Sequence, residues 1–227
     1  AFTLDNIKNV FHDMKYPATF LNTLIATVIG TLGIIVIASM GGYKMARVKT
    51  RYSRFCFLFC IAPMMIPFQS FMLTLVNVAT TLHINGKIWG LAIIYWGLGA
   101  PMSIFLYQGF AKGIPLELEE SALIDGCNQF QLFTRIIFPM LKSCTATVTI
   151  INVMWIWNDF LLPLLMLGGR KSSKTLQLAA YSFMGQYKME WQNIMSAAIL
   201  IIIPALILYL IFQKSIIKGV VAGAVKG

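Results

Sequence analysis

Charge is scarce in this sequence. Of 227 residues, 8 are Asp or Glu, 18 are Lys or Arg and 2 are His, so 11% are charged, against roughly 25% in an ordinary soluble domain. That shortage excludes a soluble globular protein, which could not cover itself with polar surface. A net charge of +10 in a soluble chain would suggest nucleic acid, but a polar binding face cannot be assembled from so few charges, and no nucleic-acid partner is expected. The two histidines, His12 and His83, lie outside the apolar runs, and no glycine-flanked serine accompanies them. No nucleophile and base are therefore available for an intramembrane protease or acyl transferase; the chain reads as non-enzymatic, with no catalytic residues. The four cysteines, Cys56, Cys60, Cys127 and Cys144, show no ligand spacing. They read as reduced, apolar filler, and no metal site is expected. Residues 168–175, GGRKSSKT, fall short of a phosphate-binding loop, because Ser173 stands where the second glycine belongs and no strand precedes them. The chain is not expected to bind ATP or another cofactor.

Hydrophobic length is abundant. Hydrophobic residues make up 58% of the chain, concentrated in runs at about 20–40, 55–78, 88–110, 143–167 and 192–213. Each reaches the roughly 20 residues with which a helix crosses about 30 Å of hydrocarbon. Only the fourth holds a charged side chain, Asp159. The runs are continuously apolar, unlike the short alternating strands of a membrane barrel. The expected fold is an all-α polytopic membrane protein, residues 1–227 forming one transmembrane domain with five membrane helices in this chain.

Lys and Arg set the orientation, since short loops rich in them stay in the cytoplasm. Lys44, Arg47, Lys49, Arg51 and Arg54 follow the first run with no acid among them. Placing them inside also places loop 111–142 and tail 214–227 inside, and loop 168–191 outside. Eleven of the 18 basic residues then lie inside; Lys8, Lys15, Lys87, Arg170, Lys171, Lys174 and Lys188 lie outside. The C-terminus is thus expected in the cytoplasm. Ala1 falls outside without an initiator Met or a cleavable leader, so an upstream membrane helix is expected, making six in the intact subunit.

The most informative loop reads IPLELEESALIDGCNQFQLFTRIIFPMLK over residues 114–142. It carries Glu117, Glu119, Glu120 and Asp125, half of the acids in the chain. Pro115 suits the first helical position, and the carboxylates lie where the positive end of a helix dipole favours them. Gly126 suits either a helix end with positive φ or the close approach of another backbone. A short cytoplasmic helix that still bears Leu116, Leu118, Ala122 and Leu123 makes sense as a docking site for another protein.

Glu120-Ser121-Ala122, then Gly126, then nine residues to Ile136, then Pro139 resembles the EAA motif of permease subunits in bacterial ATP-binding-cassette importers. Ser121 and Phe138 are mild departures from its consensus. Asn22-Thr23, Trp157-Asn158-Asp159-Phe160 with Pro163, and the terminal run from Gly219 to Gly227 resemble the carbohydrate branch of that family, most closely its maltose-type second permease. The resemblance covers essentially the whole chain and implies the type I importer permease fold in a bacterial cell membrane. It implies a second homologous permease, two cytoplasmic ATP-binding subunits that hold ATP and Mg, an extracytoplasmic sugar-binding protein, and surrounding lipid. The EAA residues Glu120, Ser121, Ala122, Asp125, Gly126, Ile136 and Pro139 would couple ATPase closure to alternating access. Residues of loop 168–191, among them Gly168, Gly169, Arg170 and Gly185, would meet the binding protein. Gly223, Val225, Lys226 and Gly227 would belong to an extended tail that touches the ATPases; the alternative is a basic tail attracted to anionic lipid.

An ionisable group within a span is costly unless it faces a cavity or a partner. Asp159, with Asn152, Trp155 and Asn158 nearby, therefore marks a candidate path for a sugar. The other reading, Trp at the membrane interface with Asp159 solvated or paired, stays open. The implied function is the membrane subunit of an ATP-driven importer of oligosaccharides, forming half of its pathway. The alternative is a secondary transporter or channel with no ATPase, which leaves the acidic cytoplasmic helix without a role.

Overall fold

The computed structural model describes residues 5–168, 173–184 and 190–224, and every regular element among them is helical. Helix α1 (Asp5–Asp13) leads into α2 (Tyr16–Arg47), whose 32 residues contain the first apolar run. Lys44 and Arg47 occupy the last turn of α2, where cations suit the negative end of the helix dipole. Helix α5 (Ile88–Lys112) contains the third run, and α2 and α5 are each long and apolar enough to cross a membrane unbroken.

Two other runs are interrupted. The second divides into α3 (Arg51–Ile61), a 3-10 turn (Ala62–Met65) and α4 (Phe68–Thr81). Ile66 is extended there (φ −99°, ψ 121°), as a residue preceding proline tends to be, and Pro67 has no N–H to continue a helix. The fourth divides into α9 (Lys142–Asn158) and α10 (Leu161–Leu167). Between them Asp159 Oδ1 accepts the Leu161 N–H at 3.1 Å, a side-chain bond that competes with helix propagation. The fifth run lies in α12 (Trp191–Ala224). The backbone of the C-terminal segment is thus helical through Ala224, where an extended chain was expected.

The loops are also largely helical. Loop 111–142 holds α6 (Leu116–Ile124), then α7 (Gln129–Gln131), a π-helical segment (Leu132–Ile137) and α8 (Phe138–Met140). The chain bends by 75° between Gln129–Met140 and Lys142–Asn158. Loop 168–191 holds α11 (Leu176–Tyr181).

The helices group into two compact units. Of the described residues, the first takes in those from 5 to 30, from 68 to 94 and from 153 to 213. Its core joins Val10, Met14, Trp157, Leu176, Ala179 and Ala197. Asn22 Nδ2 donates to the Lys174 carbonyl at 3.0 Å, and Thr23 Oγ1 accepts the Leu176 N–H at 2.9 Å. The Asn22-Thr23 pair therefore anchors the segment that starts α11.

The second unit takes in Thr31–Pro67, Tyr95–Asn152 and residues 214–224. In it α2 lies close against α5. A Cβ at Gly42 would sit 2.7 Å from Tyr107 Cβ and 3.0 Å from the backbone of Ile104 and Gln108. Small residues permit such approach between membrane helices, where dispersion and polar contacts, not water exclusion, drive association. Tyr107 Oη donates to Thr145 Oγ1 at 2.9 Å and Asn152 Nδ2 to Ser103 Oγ at 3.1 Å, joining α5 to α9.

Candidate functional site

Helix α6 is built by local rules. Pro115, extended at φ −58° and ψ 140°, stands immediately before its first turn, one residue earlier than the position expected. Glu117 and Glu119 occupy that turn, where backbone N–H groups lack helical partners. The other end is a Schellman motif: the Gly126 N–H bonds to the Leu123 carbonyl at 3.1 Å and the Cys127 N–H to the Ala122 carbonyl at 3.0 Å. Gly126 has φ +85°, and a Cβ there would meet nothing within 4 Å. The left-handed turn, one of the two roles open to this glycine, is performed here. A capping box between Asn128 and Gln131 then starts the next helical segment.

The two sides of α6 differ in burial. Glu119 (8% exposed) and Ala122 (5%) face inward, three residues apart. Glu120, Ser121, Asp125 and Gly126 are exposed, as are Leu116, Leu118, Leu123 and Ile124, the last at 85%. Phe130 beyond the turn is 69% exposed. Ser121 Oγ donates to its own helix at the Glu117 carbonyl, 2.7 Å away. Ile136 is half-buried in the π-helical segment, and Pro139 is exposed in α8. Glu120, Ser121, Asp125 and Gly126 are therefore solvent-facing alongside exposed Leu123 and Ile124, whereas Ala122 faces inward and Ile136 is half-buried.

Sequence reasoning missed Glu119. It was grouped with Glu117 and Glu120 as a dipole-stabilising acid, yet it is the carboxylate that α6 buries. Its Oε1 lies 2.5 Å from Arg47 Nε and its Oε2 accepts from Tyr43 Oη at 2.8 Å. Arg47 Nη2 also donates to the Ile114 carbonyl at 2.9 Å. The signal available in the sequence was the i, i+3 pairing of Glu119 with small Ala122 on one face. Beside this cluster, Lys49, Arg54 and Lys112 share an open cavity of about 860 Å³ with Arg47 and Glu117.

The expected sugar-path residues do not share one environment. Asn152 is buried and bonds to Ser103 and to the Val148 carbonyl at 2.8 Å, which satisfies both amide hydrogens within the helix pair. Trp155 and Asn158 are exposed and Asp159 is half-buried at the α9–α10 break. Gly168 ends α10. Gly169, Arg170, Gly185, Val225, Lys226 and Gly227 lie outside the described residues, and of Gly223 only the helical backbone is described. Among the described residues no cluster of His, Cys, Asp and Glu could hold a metal ion.

The fold resembles that of one chain in the crystal structure of a bacterial ABC transporter involved in the import of the acidic polysaccharide alginate. The TM-score is 0.78 at 22% identity, over 92% of this chain and 78% of that one. This is the type I importer permease fold. In sequence, the chain is 39% identical over 226 residues to a probable starch degradation products transport system permease protein of Thermoanaerobacterium thermosulfurigenes, covering 100% of this chain and 82% of that protein. It is 38% identical over 227 residues to a multiple sugar-binding transport system permease protein of Streptococcus mutans, covering 99% and 81%. It is 34% identical over 223 residues to a melibiose/raffinose/stachyose import permease protein of Bacillus subtilis, covering 98% and 80%. Residues 33–221 match the family described as binding-protein-dependent transport system inner membrane component. The chain belongs to that family: it is a multi-pass membrane subunit of a binding-protein-dependent ABC transporter, and a transport component, not an enzyme.

Proposed function

We propose that this chain is the membrane subunit of an ATP-driven carbohydrate importer that carries oligosaccharides and forms half of their pathway. A second homologous permease supplies the other half, two ATP-binding subunits hold ATP and Mg in the cytoplasm, and an extracytoplasmic sugar-binding protein delivers the substrate. The names of the three relatives, which refer to starch products, multiple sugars, and melibiose, raffinose and stachyose, support the substrate class. The positive-inside pattern supports a cytoplasmic C-terminus and a cytoplasmic α6. Five crossings in this chain remain our reading of its apolar runs.

The observation that carries the coupling role is the outward face of α6. Leu123 and Ile124, 43% and 85% exposed, stand beside Glu120 on a helix whose opposite face is anchored. An apolar patch with an acid at its edge suits a cleft on an ATPase subunit, where burial supplies affinity and the acid selects a basic partner. Trp155, Asn158 and Asp159 are assigned to the sugar path, whereas Asn152 is assigned to helix packing. Residues 168–191 are assigned to the binding protein and the segment after Gly219 to the ATPases.

Co-purification tests the reading. The tagged chain, expressed with its neighbouring transporter genes, is expected to retain ATP-hydrolysing subunits and to import maltotriose or raffinose in an ATP-dependent way. A lone chain that transports either sugar without an ATPase would overturn it.

A further inference from the structure

Four links tie the α6 region to the C-terminal end of α2, and all four run through two α2 residues. Tyr43 and Arg47 are four apart and so share one face of α2; the Arg47 guanidinium stands 5.8 Å from the Tyr43 ring centre. Arg47 pairs with Glu119 in the first turn of α6 and also bonds to the Ile114 carbonyl just before Pro115. Tyr43 donates to the other Glu119 oxygen, and its ring lies 5.6 Å from that of Phe133 in the π-helical segment. Phe133 in turn lies 5.9 Å from Phe138. Both arms of the EAA loop, before and after Gly126, are thus held to the end of one membrane helix.

The chemistry of the join is suited to transmitting force. A charge-assisted bond between a planar guanidinium and a carboxylate has a defined direction, and partial burial shields it from competing water. The Arg47 and Glu119 side chains are 13% and 11% exposed. An apolar contact is less directional than such a bond.

We propose that Glu119, Arg47 and Tyr43 form a latch through which displacement of α6 is passed to α2, with Glu119 as its positioning residue. Resting on the docking reading above, this divides the neighbouring acids: Glu120 meets the partner, while Glu119 transmits its motion. The division extends the role of the EAA segment to two α2 residues outside the motif.

The test uses the complete transporter in proteoliposomes with its ATPases and binding protein. Glu119→Gln keeps the shape but removes the charge, and Arg47→Met removes the partner. In both, ATPase subunits are expected to co-purify at the wild-type ratio and basal ATP hydrolysis to stay within about twofold. Stimulation of hydrolysis by the binding protein, and uptake of maltotriose and raffinose, are expected to fall about tenfold or more, as for loss of a partly buried charge pair. The double variant is expected to be no worse than the more impaired single one, because the two residues act as a unit. Tyr43→Phe, which retains the ring, is expected to lose about threefold in the same two readouts, within the range of one ordinary net hydrogen bond. Wild-type coupling in Glu119→Gln would overturn the latch, as would multiplied losses in the double variant or loss of the ATPases from either single one. Failure of the docking reading is distinguished by Ile124→Asp: if its ATPases still co-purify, docking is wrong whatever Glu119→Gln does.

Discussion

Glu119 and Glu120 are adjacent on α6, and their surroundings are opposite. The first is buried against Tyr43 and Arg47; the second is exposed beside Leu123 and Ile124. A helix turns about 100° per residue, so two neighbouring acids can serve different faces of one short element. One face is tied to the membrane domain and the other is left open to a partner. An exposed helix can thus be firmly attached at its base, as a coupling element must be.

The open face is where one substitution is expected to do most damage. Ile124→Asp places a charge at the centre of the exposed apolar patch and is expected to abolish ATPase co-purification and sugar uptake, with membrane insertion unchanged on blots of membrane fractions. The turn is the next point of attack. Gly126→Val forces a β-branched residue to φ +85° and is expected to cost roughly 1–2 kcal/mol; uptake should fall about five- to thirtyfold when that strain is passed in full to the transport step. Gly126→Asn tolerates the left-handed region and is expected to recover most of that loss, which separates a backbone role from a side-chain one.

Smaller effects sharpen the other side. Gly42→Ala puts a Cβ 2.7 Å from Tyr107 Cβ and is expected to lower stability by about 1–3 kcal/mol, as overpacking does. A thermal melt of the purified chain reads it. Asn152→Ala removes the amide that joins α9 to Ser103 and is expected to cost roughly 0.5–2 kcal/mol in the same melt. Its apparent KM for sugar uptake should not change; a large rise in KM would return Asn152 to the sugar path.

What the sequence disclosed follows the range of the forces involved. Helix α6 and its ending were legible because Pro115, the acids and Gly126 act within a turn or two of the backbone. The spans of α2 and α5 were legible because apolar length is a sum over consecutive residues. The interruption after Ile61 was less so: Pro63 and Pro67 stand in the sequence, but membrane helices tolerate proline, and Pro101 indeed lies inside α5. The break at Asp159 needed the side-chain bond to the Leu161 N–H, which hydropathy does not register. Asn152 looked like part of the cluster around Asp159 because it is near in sequence, yet its partner Ser103 lies 49 residues away. Glu119 was hidden for the same reason, with Arg47 at a separation of 72 residues.

The most direct test of the attachment is a distance. Spin labels are placed at Lys44 in the last turn of α2 and at Glu117 on α6, both exposed, with the four free cysteines replaced. Double electron–electron resonance then compares the assembled transporter without nucleotide and with ATP and Mg. A single narrow distance distribution, unchanged by nucleotide and broadened by Glu119→Gln, is expected if α6 and α2 move as one piece. A distance that shifts on nucleotide binding with Glu119 intact would show that α6 moves independently of α2 and would contradict the account.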